Sequence, residues 1–168
     1  MIRLQRLWRG RERWNFYEDN QGTAVKFELE ILIHKPHAEV WAFFHDHEKA
    51  KLWQPSLESV DVINGQEGQA GAISRWTYKE NGREFSLTET ILIREDPDRF
   101  ESRFENEFAS NLVNNIFAAQ TENETLWKVE TKYRFKTLLM KVLGPILKKN
   151  YVARAQKEME RFKDAVEG

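Results

Sequence analysis

The chain has 168 residues, a formal net charge of -1, and 40% hydrophobic residues that include six Trp and eleven Phe. That length suits one domain with a sizeable core, and the near-neutral charge excludes a general polyanion binder. With no cysteine there is no disulfide framework, thiolate metal site or Cys nucleophile. No apolar run reaches the about 18 residues of a membrane span, and the N-terminus lacks a secretory apolar region, so a cytoplasmic location is expected.

Residues 1–23 have no clean period and are set apart as a basic, aromatic extension. Leu4, Leu7 and Trp8 suit one face of a short helix ended by Gly10, and Trp14, Phe16 and Tyr17 suit an aromatic anchor. Five Arg against one Glu in residues 1–14 make the arm basic, so peripheral membrane contact is one reading of it. From Val25 the pattern sharpens. Val25, Phe27, Leu29, Ile31 and Ile33 alternate with Lys26, Glu28, Glu30, Leu32 and His34, which predicts a strand with one apolar face. Pro36 stops it and opens a helix whose buried side is Val40, Trp41, Phe43 and Phe44. A second short helix is predicted over about 48–53, ending at Pro55.

Six strands follow. The first carries Val60 and Val62, and after a loop with Gly65, Gly68 and Gly71 the next carries Trp76 and Tyr78. Asn81-Gly82 is a strong hairpin signal. The returning strand places Phe85, Leu87, Glu89, Ile91 and Ile93 on one parity. Asp96-Pro97-Asp98 turns the chain into a strand read through Phe100, Phe104 and Phe108. Residues 111–121 read as a more buried strand, in which Asn111, Asn114 and Asn115 are unusual and either satisfy backbone at a bulge or place amides toward a ligand. Asn123-Glu124 turns it into a strand carrying Trp127, Val129, Thr131, Tyr133 and Phe135. Short turns imply an antiparallel meander. The end of the chain is an apolar lead-in, 137–147, broken by Gly144-Pro145. A long amphipathic helix then carries Tyr151, Ala155, Met159, Phe162 and Val166 on one stripe. That helix is the cover for the sheet's apolar face, and its basic face is read as solvated or as a contact for an anionic partner.

Several motifs, in this order, resemble the SRPBCC superfamily, the START-like or birch-pollen-allergen-like helix-grip proteins, and in particular their polyketide cyclase/dehydratase-like branch. They are the strand leading into Pro36-His37-Ala38-Glu39-Val40-Trp41, Asp46 followed by Trp53-Gln54-Pro55, the glycine loop, Glu95-Asp96-Pro97, and the Leu-Gly-Pro-Ile-Leu run before a basic helix. The resemblance spans about 24–166, so 24–168 is taken as the domain. It implies an α+β helix-grip fold: a seven-stranded curved antiparallel sheet around a long C-terminal helix, with two short helices between strands 1 and 2. It also implies a cavity for a hydrophobic ligand, without a single activity.

The residues suggest where such a ligand would lie. Trp76, Tyr78, Phe85, Phe104, Phe108, Phe117, Trp127 and Tyr133 on the sheet, Leu143 and Leu147 in the lead-in, and Tyr151, Ala155 and Met159 on the long helix are the candidate lining. A pocket of roughly 300–1,000 Å³ is usual for such a site. Plain core packing is the alternative for many of these side chains. Gly144-Pro145 is the expected bend and ligand entry. Glu89, on an apolar parity, either pairs with a base such as Arg75 or Arg103 or furnishes the cavity. Left unpaired, it has a raised pKa and is a candidate general acid or base, with Tyr133 a second catalytic candidate. His45 and His47, read as one helix, point to different sides, so no metal site is expected, nor a cofactor or nucleic acid. The three glycines lack the Lys and Ser/Thr of a phosphate loop. Three functions stay open: binding or transport of a small lipid, polyketide, quinone or aromatic molecule; an aromatase/cyclase or dehydratase enzyme; and an interaction protein using the basic arm and basic helix. Oligomeric state is open.

Overall fold

The computed structural model describes residues 24–168; the readings placed on residues 1–23 lie outside the described residues. In chain order the elements are β1 (Ala24–Ile33), α1 (His37–Phe44), α2 (His47–Trp53), β2 (Leu57–Asn64), β3 (Ile73–Glu80), β4 (Arg83–Glu95), β5 (Arg99–Glu105), β6 (Ala109–Thr121), β7 (Glu124–Phe135), α3 (Leu138–Ile146) and α4 (Lys148–Glu167). The strands form one antiparallel sheet in the order β1-β7-β6-β5-β4-β3-β2. The first strand thus closes against the last, Val25 opposite Tyr133 and Ile33 opposite Thr125. This is the helix-grip fold, with the sheet's concave face turned toward α4.

Local chemistry sets the joints. Asp46 caps α2 by accepting from the amides of Glu48 and Lys49, the ordinary way to satisfy first-turn donors. It therefore divides the His45–His47 stretch into two helices instead of one. Asn81 and Gly82 both take positive φ, 51° and 76°, as the β3–β4 two-residue turn requires. Thr137 caps α3 by accepting from the Met140 amide.

Three expectations need correction here. The pairing of β4 with β5 slips between Ile91 and Ile93. This bulge turns Ile93 to the convex face, where it meets Glu101, and puts Arg94 on the concave side opposite Phe100. Second, the β5 alternation does not run through to Phe108. Asn106 Oδ1 accepts from the amides of both Phe108 and Ala109 at 2.9 Å, forming a tight side-chain-bonded turn. Phe108 sits on it, 48% exposed. Third, Gly144-Pro145 does not break the lead-in. Both residues lie within α3, and the chain bends at Leu147, which ends α3 and begins α4.

The core occupies one end of the concave face. Phe162 is fully buried, with its ring 4.7 Å from Trp127, 5.3 Å from Phe43 and 5.5 Å from Trp53. Phe117 stacks on Trp127 at 5.7 Å, and Phe44 meets Trp53, Phe100, Phe117, Trp127 and Phe162. The convex face carries a polar chain: Arg99 bonds Glu101 and Asn114, Asn114 bonds Glu130, and Lys128 bridges Glu130 and Glu28. That chain crosses β5, β6, β7 and β1 and accounts for the buried amide of Asn114, which looks away from the interior.

Candidate functional site

Where α1 and α2 stop covering the sheet, a cavity of about 590 Å³ opens between the concave face and α4. Its roof is Tyr151, Ala155, Glu158 and Met159, with Arg154 at the edge. Its floor includes Trp76, Tyr78, Phe85, Phe104, Trp127 and Tyr133, together with the polar side chains Ser74, Glu89, Ser102, Asn111, Asn115 and Thr131. His45, His47, Gln54, Glu67, Gly68 and Arg94 lie along the side nearest α2 and the glycine loop.

Nine of the thirteen proposed lining residues therefore border the cavity: Trp76, Tyr78, Phe85, Phe104, Trp127, Tyr133, Tyr151, Ala155 and Met159. Four do not. Phe117 is 1% exposed and closed off by Trp41, Phe44 and Trp127. Phe108 stands on its turn, and the apolar stripe of α3 that holds Leu143 faces solvent. Leu147 forms the α3–α4 joint. Arg94, Ser102 and Glu158 border the cavity without having been proposed for it. Of the three Asn read as satisfying backbone at a bulge or turning amides toward a ligand, Asn111 and Asn115 border the cavity, on the parity of Val113 and Phe117, and Asn114 does not.

Glu89 is the most unusual side chain in the cavity. It is 3% exposed, and its two oxygens accept from Trp76 Nε1 at 2.8 Å and Ser102 Oγ at 2.7 Å. Neither partner is a base; Arg75 and Arg103 lie on the exposed parity of their strands. Burial pushes the carboxyl pKa up, and the two hydrogen bonds and the charge of His47 only partly oppose it. An isolated ionised carboxylate in such a place is costly, so the neutral acid gains weight.

His45 is shifted the opposite way for the same reason. Burial lowers its pKa to about 4, against a partly compensating bond to the Trp41 carbonyl. Nδ1 lies 3.0 Å from that carbonyl, which can only accept, so Nδ1 carries the proton. Nε2 is left buried without a hydrogen-bond partner. The Tyr78 hydroxyl donates to Gln54 Oε1 at 2.8 Å, and burial holds its pKa far above the ordinary value. Tyr133 stacks on Tyr151 at 4.8 Å, and burial raises its hydroxyl to about 12. Tyr133 therefore stays a phenol at neutral pH and is no proton acceptor.

Charges at the rim are compensated locally. Arg154 bonds Glu80 at 2.7 Å and Glu158 at 3.1 Å. Arg94 bonds Asp96 and the Gly68 carbonyl, both at 2.7 Å. Gly68 has φ +72°, and a Cβ there would crowd the Arg94 guanidinium, so the loop approaches this closely only as glycine. His47 Nδ1 lies 2.9 Å from Glu67, linking α2 to the same loop. Among the described residues no group of three or more His, Asp or Glu is arranged to hold a metal ion.

A long helix gripped by a curved seven-stranded sheet, with a cavity between them, is the helix-grip fold, and the comparisons agree on that fold. The chain belongs to the family described as polyketide cyclase / dehydrase and lipid transport, whose model matches residues 5–167. That match begins inside the stretch that the sequence reading set apart as an extension. The structure is similar to that of Ara h 8.0201, with TM-score 0.70 and 15% identity over 86% of this chain and 98% of that one. It is similar to a START superfamily protein from Mycobacterium smegmatis, with TM-score 0.65 and 14% identity over 85% and 94%. It is also similar to norcoclaurine synthase from Thalictrum flavum in complex with dopamine and hydroxybenzaldehyde, with TM-score 0.62 and 13% identity over 86% and 87%. At these identities the likeness establishes the fold. A search of the curated proteins finds no match.

Proposed function

We propose that this protein binds and carries a small, uncharged molecule with an aromatic or otherwise apolar body and at least one hydrogen-bonding group. The observation behind this reading is a 590 Å³ aromatic-lined cavity with a buried carboxyl whose pKa is raised by burial. A charged ligand would lose its hydration against Trp76, Phe104, Trp127 and Met159, with the rim charges already engaged by one another. A neutral ligand loses little and gains by burying apolar surface. Glu89 can accept from a hydroxyl and, when protonated, donate to a carbonyl. The family description, which includes lipid transport, and a neighbour whose bound molecules include the aromatic aldehyde hydroxybenzaldehyde support a ligand of this kind.

The test is native mass spectrometry of freshly purified protein, followed by titration with the neutral fluorescent probe N-phenyl-1-naphthylamine. A co-purifying neutral molecule, or one-to-one probe binding, is expected. Absence of both would remove the carrier reading.

A second reading has one observation in its favour. Glu89 is a buried carboxyl held by two donors inside a cavity large enough for a substrate, as a general acid for enolisation or water loss would be. In that case Glu89→Gln abolishes turnover of a poly-carbonyl substrate while probe binding persists. In a simple carrier the same change alters affinity alone.

A further inference from the structure

Helix α3 is built inside out. Its apolar residues recur along one stripe, yet Leu138, Leu139, Val142 and Ile146 are 83%, 67%, 66% and 71% exposed. Its protein-facing side is Gly144, buried against the Phe135 ring, with Met140 and Lys141 half-buried beside it. An amphipathic helix in water normally turns the other way. Phe108 extends the patch, because the Lys136 amide, just before α3, donates to the Phe108 carbonyl at 2.8 Å.

The charges along α3 and its flanks have one sign, while the Phe108 turn carries Glu105, paired with Lys136, and the exposed Glu107. From residue 131 to 157 the chain contains eight Lys or Arg and no Asp or Glu. Lys148 and Lys149 immediately follow the stripe and are exposed. Among the described residues they form no ion pair, nor does Lys141, whereas Arg154 and Lys136 are engaged by Glu80 and Glu105. Apolar side chains beside unpaired lysines suit the boundary between acyl chains and anionic headgroups. The patch also adjoins the cavity: Gly144 rests on Phe135, which packs at 6.2 Å on the cavity-lining ring of Tyr151.

We propose that α3, with the Phe108 turn, docks the protein on an anionic lipid bilayer, its leucine stripe inserted at the headgroup boundary and Lys148 and Lys149 facing the headgroups. The Tyr133–Tyr151 end of the cavity then lies toward the membrane. This docking stands independently of the cavity's content, because vesicle binding is measured with no ligand added.

The full chain is floated with phosphatidylcholine vesicles and with vesicles containing phosphatidylglycerol as well. Binding to the mixed vesicles is expected, with at least about tenfold loss in Val142→Glu/Ile146→Glu and a smaller loss, confined to the anionic vesicles, in Lys148→Glu/Lys149→Glu. Circular dichroism and thermal melting of both variants should match the parent, since these side chains contribute little to the fold. The proposal is overturned if the parent binds neither vesicle, or if the α3 variant binds as well as the parent, which would assign binding to another basic surface. It is equally overturned if the parent sediments as a dimer that the α3 variant dissociates, because a second copy would then be the occupant.

Discussion

The two ends of the concave face use the same kinds of residue and reach opposite outcomes. At the α1–α2 end, Phe44, Trp53, Phe117, Trp127 and Phe162 interlock into a solid core. Beyond it, from Trp76 and Tyr78 beside α2 across Phe85 and Phe104 to Tyr133, the sheet borders a space that α4 roofs without filling. What differs is the cover. Two short helices supply large rings at the first end, whereas α4 offers Ala155 over the second. Aromatic content is therefore no guide to filling; the number of elements that close over a sheet decides it.

The sharpest way to break the contrast is Phe162→Ala. Removing a fully buried ring from the packed end should cost about 3–5 kcal/mol in urea unfolding. If the loss is much smaller, the two ends are packed alike and the division fails.

The pH response probes the border between them. His45, whose pKa falls from 6.5 to about 4 by burial, holds fewer protons folded than unfolded across that interval. Stability must then drop as pH falls from about 6.5 to about 4, by up to about 3 kcal/mol at 1.4 kcal/mol per unit. Glu89 works the other way. Its raised pKa contributes stability that is full below its ordinary value of 4.5 and is lost as pH rises through the folded value. His45→Gln should flatten the acid side of the stability profile and Glu89→Gln the other side. Unchanged profiles in both variants would mean that water reaches these groups freely.

Gly144→Ala tests the wall behind the open end. Alanine has the better helix propensity, by about 1 kcal/mol. Its Cβ would nevertheless land on the Phe135 ring, and a net loss of about 1–3 kcal/mol is expected on melting. The smallest effect on stability should come from Ala155→Phe, which projects a ring into the cavity. It should change stability by at most about 1 kcal/mol while abolishing N-phenyl-1-naphthylamine binding. A large destabilisation would mean that the space is already filled.

Strand parity, which depends only on a two-residue period, carried the sequence reading a long way. It placed Glu89 and six lining residues, Trp76, Tyr78, Phe85, Phe104, Trp127 and Tyr133, on the correct side of the sheet. It failed where a local device interrupts the period. Ile93 and Arg94 exchange faces at a bulge that no residue type announces, and Phe108 keeps the alternation on paper while the Asn106 side chain turns the backbone beneath it. Phe117 shares the inward parity with the cavity residues and still lies in the core, because its depth is set by α1, far away in sequence. The stripe of α3 was legible as a stripe. Which way it faces depends on one small residue, Gly144, meeting one ring.

The closure of β1 on β7 has a consequence for synthesis. Leu29 waits for a partner exactly one hundred residues later, at Val129, and α4 follows all seven strands. The far end of α4 is fastened to the end of β1 by Glu167, which accepts from the His34 amide at 2.6 Å, and by Lys163, whose ammonium donates to the Leu32 carbonyl. A nascent chain therefore presents its aromatic concave surface uncovered until α4 emerges. Pairing over such separations is slow, and the interval before closure is when this chain is most exposed to aggregation and most in need of a holding chaperone.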